Sequence, residues 1–459
     1  MTARGIAGAA VYVPHRRLDR TGIAAVAGGG GGKGTRAVAG YDEDTTTMGV
    51  EAARGLRRAC PDVDPQTLWF ATAAPAYADK TNATAIHAAL RLGSQVGAFD
   101  AVGAVRSSVG ALYAALTGSG THLVISADLR SGLPGGPDEA TFGDGAAALL
   151  VADEGDAPLL ATLVGSGRAT EEFLDRWRTP GEVRSKVWEE RFGETRYVPL
   201  GVAAWEDALK DAELAADQVD LVAIAGTHGR AVAGFAKEVG AGERQVGTGL
   251  PARIGNLGAA QPAAGFTAAL EQASPGQVIA LVVLADGADV ALFRATDAVT
   301  AWEPPRSVDA QADDGAPIDY GTYLRWRGLV TTEPPRRPEP VRPSASASGR
   351  SGAWKFGFVG SSDDAGEVHL PPQAGDGTDV PMSDARGTIA TFTIDRLAYS
   401  PSPPVVFAVV DFDGGGRLPV ELTDVDIDAV RIGARVEPTF RKLFTADGIH
   451  NYFWKARIV

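Results

Sequence analysis

Cysteine is almost missing from this chain: Cys60 is the only one among 459 residues. An intramolecular disulfide and a thiolate metal cluster are both excluded by that count. The six histidines (His15, His87, His122, His228, His369, His450) show no ligand spacing of the His-x-x-x-His kind, so no catalytic metal is expected. Positive charge is in deficit as well. Lys and Arg number 43 against 57 Asp and Glu, a net charge of −14, which argues against a protein held to nucleic acid by phosphate contacts. No stretch approaches ~20 uninterrupted apolar residues, and the opening MTARGIAGAAVYVPHRRL lacks the apolar core of a secretory signal. The expectation is a cytoplasmic protein without membrane association.

What the chain has in quantity is small apolar residues arranged in alternating runs. Thr121 opens THLVISAD and Val219 opens VDLVAIAG, both strand-like. TTTMGVEAARGLRRA from Thr45 and SSVGALYAALTG from Ser107 carry helix-spaced apolar positions. The alternation predicts an α/β architecture with buried sheets. It also repeats. SSVGALYAAL, THLVISAD and FGDGAAALLVAD are matched, in order, by PAAGFTAALEQA, QVIALVVLADG and DGADVALFRA, and both copies end in Asp-Gly-Ala before an apolar strand. The halves are expected over 1–157 and 158–297. A Pro-, Ser- and charge-rich linker follows over 298–353, with an aromatic docking segment, IDYGTYLRWRG, at Ile318–Gly328. Strand-like GTIATFTI, PVVFAVVDF and VRIGARVEPTF in the remainder predict a small β-barrel.

The glycine run at Gly28–Thr35 fails as a phosphate-binding loop, because Lys33 is followed by Gly34 instead of a hydroxyl residue and Ala27 stands where the first glycine is needed.

GIAGAAVYVPHRRL, DEDTTTMGVEAA from Asp42, FGDGAAALLV from Phe142, LDRWRTPG from Leu174 and IGNLGAA from Ile254 together resemble the thiolase superfamily. Within it they look most like the hydroxymethylglutaryl-CoA synthase and ketoacyl synthase III branch, across about residues 1–297. Gly387–Asp426 and Phe440–Val459 resemble the OB-fold domain that accompanies acyl-CoA thiolases, a domain usually preceded by a zinc ribbon. The resemblance implies a duplicated five-layer α-β-α-β-α domain followed by an all-β OB barrel over 387–459. The ribbon region, 354–386, has no cysteine, so no metal is expected there.

Carried over residue by residue, the resemblance gives a mixed site. The family's acylated cysteine falls at Val105 and its acid/base glutamate at Ala73, and neither replacement can do the chemistry. His228 and Asn256 match the pair that donates hydrogen bonds to a thioester carbonyl as it becomes an enolate, with a backbone amide near Gly287 as a further donor. Ser108, ~300° around a helix from Val105, returns closer to the same face than Ser107 at ~200° and is the candidate replacement nucleophile. Arg106 stands where the branch often has a basic residue that could contact a thioester or phosphate. Arg176, Arg178, Arg184 and Lys186 form the densest basic group and suit the phosphates of coenzyme A.

These assignments imply a coenzyme A thioester as substrate, with acyl-CoA or an acyl-carrier protein as partner and no tightly bound cofactor. The first reading is a carbon–carbon bond made or broken through an enolate without a cysteine acyl-enzyme, in aldol, retro-aldol or decarboxylative form. The alternatives are a direct acyltransferase with His228 as base, and a non-catalytic acyl-CoA-binding or scaffold protein that braces a catalytic partner. The resemblance also implies a homodimer.

Overall fold

In the computed structural model, which describes residues 3–375 and 377–459, the repeated sequence pattern becomes a repeated topology. The first copy contributes β1 (Arg4–Tyr12), β2 (Thr67–Thr72), β3 (Gly97–Val102), β4 (His122–Asp128) and β5 (Gly145–Asp153). The second contributes β6 (Ala161–Ala169), β7 (Leu221–Gly226), β8 (Gln245–Val246), β9 (Val278–Leu284) and β10 (Ala288–Ala295). Each copy is ordered the same way, β1-β5-β4-β2-β3 and β6-β10-β9-β7-β8. The first two pairings of each are antiparallel and the last two parallel. The copies meet where β1 and β6 pair antiparallel at Gly5–Thr162 and Ile6–Ala161. Gly5 is required at this crossing, since a Cβ there would run into the Ala161 carbonyl oxygen.

Helices fill the space between and outside the sheets. On the first copy, α1 (Thr45–Ala59) and α2 (Ala83–Ala89) share a core with Leu68, Phe70, Leu123 and Ile125. The inner layer is α3 (Arg106–Thr117) with its duplicate α6 (Gln261–Leu270), whose Val109, Leu112, Ala264 and Phe266 are buried in one continuous core with inward-facing residues of both sheets. On the far side, α4 (Glu190–Asp211) and α5 (Gly229–Glu238) cover the second copy. The result is the layered α-β-α-β-α arrangement. Among the described residues no helix is long and apolar enough to cross a membrane.

Beyond Asp297, residues 316–318 add a parallel strand beside Arg16–Asp19, and α7 (Tyr320–Trp326) buries Tyr320, Tyr323 and Leu324 against Leu18, Ile23 and Val38. Two short helices, α8 (Ala345–Arg350) and α9 (Gly352–Gly357), lead to a three-stranded sheet over residues 359–381. In the position of a zinc ribbon this sheet has the exposed Asp363 and Glu367 with His369, whose Nε2 lies 3.2 Å from Asp363 Oδ2. That donor set does not fit a site built for four thiolates.

The chain ends in a closed five-stranded barrel of β11 (Gly387–Asp395), β12 (Val405–Phe412), β13 (Arg417–Leu422), β14 (Arg435–Ala446) and β15 (Ile449–Ile458), ordered β11-β12-β13-β15-β14. Its seat on the first copy is ionic and almost dry. Arg441, fully buried, places Nη2 2.8 Å from Asp424 and 3.2 Å from Glu43, and donates to the Tyr12 hydroxyl at 3.0 Å. Lys455 pairs with Asp42 at 3.0 Å and with Glu421. Tyr452 donates to Asp44 at 2.8 Å, while Asp44 caps α1 by accepting from the Thr47 amide. Glu51 on α1 accepts from the Phe440 amide at 3.0 Å and pairs with Arg54 at 2.7 Å, and the Arg54 guanidinium lies over the Trp454 ring. The acidic start of DEDTTTMGVEAA thus serves as the barrel's docking surface.

Candidate active site

A cleft of about 690 Å³ opens where the ends of β2, β3 and β9 meet the N-terminus of α3. Val105 is the residue just before α3; it is buried and lines this cleft, and so does Ala73, just past β2. The Ala73 backbone is used on both sides: its amide donates to Asp128 Oδ1 at 2.8 Å and its carbonyl accepts from Arg178 at 2.6 Å. Both positions where the resemblance calls for chemistry therefore present only hydrocarbon.

Ser108 is turned away from the cleft. Its buried hydroxyl donates back along the helix to the Val105 carbonyl at 2.8 Å and does not line the cleft. Arg106 is also committed elsewhere, in an ion pair with Asp289 at 2.8 Å and in hydrogen bonds to Thr170 and the Asp286 carbonyl. Its guanidinium packs on Gly287, where an added Cβ would sit 2.5 Å from Nη1.

His228 and Asn256 form a frame behind the cleft. His228 caps α5, its Nδ1 accepting from the Ala231 amide at 3.1 Å. The first turn of α4 closes over the Nε2 edge of the ring. A Cβ on Gly193 would lie 2.9 Å from His228 Nε2 and 2.6 Å from Asp175 Oδ1, so the approach is possible only because residue 193 is glycine. Burial pushes the Asp175 carboxyl up, against the pull of His228. Asn256 donates from Nδ2 to the Gly226 carbonyl at 2.8 Å and accepts at Oδ1 from the Gly258 amide at 2.9 Å, which joins two loops.

Of the basic group, Arg176 and Arg178 line the cleft while Arg184 and Lys186 lie exposed on the adjoining loop and two-residue strand. Arg176 pairs with Asp138 at 2.8 Å and stacks over Phe142. Burial, reinforced by the neighbouring Arg130, lowers the Arg178 guanidinium pKa.

The group that sequence reasoning missed is Asp286, which lines the cleft together with Val105, Tyr197 and Thr227. It sits at φ 47° in the turn between β9 and β10, where its amide donates to the Tyr197 hydroxyl at 3.2 Å. Its carboxylate accepts no hydrogen bond among the described residues. Burial raises its pKa, Arg106 opposes the shift and Asp175 adds to it. A carboxyl open to a cleft with its pKa raised suits proton transfer. The repeated Asp-Gly-Ala pattern had pointed at this residue, but the family motif drew attention to its glycine.

A duplicated five-layer fold with its cleft at the N-terminus of an inner helix defines a protein of the thiolase superfamily. Two solved structures share the fold: MvaS in complex with 3-hydroxy-3-methylglutaryl coenzyme A (TM-score 0.60, 24% identity, 75% of this chain and 95% of that one) and the curacin-pathway HMG synthase in complex with holo donor-ACP (TM-score 0.60, 18% identity, 71% and 88%). The hydroxymethylglutaryl-CoA synthase of Pyrococcus furiosus is 31% identical over 340 residues, 70% of this chain and 95% of that relative. The chain belongs to the hydroxymethylglutaryl-CoA synthase family. Its residues 379–441 match the family model of the ChsH2 C-terminal OB-fold domain.

Proposed function

We propose that this member of the family acts on a coenzyme A or acyl-carrier thioester by an aldol-type step, making or breaking a carbon–carbon bond through an enolate with no acyl-enzyme. The observation that carries the reading is the pairing of Val105 and Ala73 with the unpaired Asp286 carboxyl in one cleft. In the cleaving direction, Asp286 removes the β-hydroxyl proton of a 3-hydroxyacyl thioester and the Cα–Cβ bond breaks. The electron pair moves onto the thioester carbonyl as an enolate, and the same carboxyl returns the proton to Cα. The products are a carbonyl compound and a shortened acyl thioester, with no external reactant required.

Arg130 and Arg178 supply positive charge along the wall where the enolate develops. His228 and Asn256 are positioning residues in this reading, since they fix the loops that carry Thr227 and close the back of the cleft. Arg184 and Lys186, exposed beside the mouth, suit the phosphates of the carrier, in keeping with the coenzyme A and acyl-carrier ligands named for the two structural neighbours. A homodimer fits the edge strand β3, which ends the sheet unpaired and leaves Phe99 and Val102 about half exposed.

The test is cleavage of 3-hydroxyacyl-CoA thioesters in deuterated water. The expected product is an acyl-CoA with deuterium at Cα, formed ~100-fold more slowly by Asp286→Asn, while the intact protein keeps its unmodified mass throughout turnover. An acyl adduct on the protein, or undiminished turnover by Asp286→Asn, overturns the reading.

A further inference from the structure

A second cavity lies outside this cleft, at the seam where α2, the linker helices α8 and α9, and the turn into β15 converge, with a volume of about 900 Å³. Its lining is anomalous for so acidic a chain. Lys80, Arg342 and Lys355 face it, and among the described residues no carboxylate does.

Two of these cations have no acidic partner among the described residues. Lys80 gives hydrogen bonds to the Thr81 carbonyl and the Thr84 hydroxyl. The Lys355 ammonium lies 5.5 Å from the Phe356 ring centroid, and burial alone draws its pKa down, with no carboxylate to offset the cost. Arg342 at the rim pairs with the exposed Asp447. A half-buried ammonium with no counter-ion costs stability unless something anionic neutralises it. The rest of the wall supplies hydroxyl donors at Thr84, Ser344 and Ser348, and apolar surface at Ala88, Phe356 and Ile449. Several cations and hydroxyls around one opening suit a group with several acceptor oxygens and more than one negative charge better than they suit a single carboxylate.

We propose that this cavity binds a phosphorylated organic ligand of nucleotide size, phosphate toward Lys80 and Lys355 and the apolar or aromatic body against Phe356 and Ile449. Its walls come from the first copy, the linker and the barrel, so the ligand clamps the barrel to the catalytic domain. The site is also adjacent to the cleft. Tyr77, which lines the cavity, accepts from the His450 amide at 2.8 Å and sits within the segment whose Ala73, Ala74 and Ala78 line the cleft.

The full-length chain is titrated calorimetrically with adenosine 5′-diphosphate, and with inorganic pyrophosphate and decanoate as separate probes for the head group and the apolar body. Binding of the diphosphate is expected to weaken at least ~10-fold in Lys355→Gln and in Lys80→Gln, and to fall as salt rises. Arg184→Gln/Lys186→Gln, at the mouth of the cleft, is expected to leave the affinity within ~2-fold, which separates this site from carrier binding at the cleft. The ligand should raise the melting temperature of the wild type and not that of a Lys80→Gln/Lys355→Gln chain, whose ligand-free melting temperature should be no lower than the wild type's. No binding of the diphosphate, equal binding by both lysine variants, loss of binding with Arg184→Gln/Lys186→Gln, or tighter binding of decanoate than of the diphosphate overturns the proposal.

Discussion

Replacing Glu51 with Gln tests whether the buried ion pairs hold the barrel in place. Glu51 is on α1, while the amide it receives belongs to Phe440 in β14, so its carboxylate spans the seam between the two parts. Arg54, with Arg441 and Arg457 behind it, overcomes the desolvation that would raise this carboxyl and holds it at about 2, against an ordinary 4.5. At ~1.4 kcal/mol per pH unit that difference is worth about 3 kcal/mol at neutral pH. Removing one partner of a buried ion pair costs about 3–5 kcal/mol by an independent route. Glutamine keeps the acceptor for the Phe440 amide, so the lower figure is expected. A carboxyl depressed on folding stabilises fully above its unfolded pKa and progressively less as pH falls toward its folded one. The gap between wild type and Glu51→Gln should therefore be about 3 kcal/mol at pH 7, shrinking to about 2 kcal/mol near pH 3.5. Urea unfolding followed by tryptophan fluorescence reads it directly, because Trp454 stacks on Arg54. A gap below ~1 kcal/mol at pH 7, or one that does not change with pH, would refute the reasoning.

Glu43 should behave with the opposite sign: burial lifts its carboxyl to about 7 against the pull of Arg441, so its contribution is full at low pH and lost as pH rises through 7. Glu43→Gln, which mimics the protonated form, should therefore melt at a higher temperature than wild type at pH 8 and at nearly the same temperature at pH 4, below the ordinary carboxyl value; a difference that grows on acidification contradicts this. Gly193→Ala forces a methyl group against Asp175 and His228 and should cost about 1–3 kcal/mol in a thermal melt. A neutral result there would mean that α4 does not close over the histidine. Ser108→Ala should leave turnover within ~2-fold, since its hydroxyl is bound to the Val105 carbonyl, and a loss beyond ~10-fold would restore serine as a nucleophile. Phe99→Asp on the edge strand should convert a dimer to a monomer by sedimentation; an unchanged mass places the dimer contact elsewhere.

The duplication was legible because a repeated sequence folds to a repeated topology: the helix-strand-strand repeat became α3-β4-β5 and α6-β9-β10 with the same neighbours. That Val105 and Ala73 offer no reactive side chain was legible too, since a residue's identity is independent of the fold. What the side chains do was not. Arg441 and Tyr12 touch across 429 positions and Arg54 meets the Pro438 carbonyl across 384, and no periodicity carries that information. His228 follows its strand as expected and Asn256 lies in the loop after Leu250–Arg253, yet the orientation of their polar atoms is decided by α4 and by the Gly226 and Gly258 backbone, which one-dimensional matching cannot see.

The two Asp-Gly-Ala segments place their carboxyls in very different surroundings. In the first copy, Asp144 is fully buried and saturated: it pairs with Arg36 at 3.3 Å and with Arg327, and it accepts from the amides of Ala39 and Arg130 at 2.8 Å. Every lone pair there is committed, so that carboxylate can only hold the core together. In the second copy Asp286 lies instead in a three-residue turn at φ 47° and lacks the cage, because the nearest guanidinium, Arg106, bonds to its carbonyl oxygen and to Asp289. Its carboxyl is exposed to the cleft, so it is free of the structural duty that Asp144 carries. On the proposed reading, Val105 and Ala73 leave proton exchange to the carboxyls that line the cleft, Asp286 and Glu182, and of these Asp286 is the one held in the tight turn between β9 and β10.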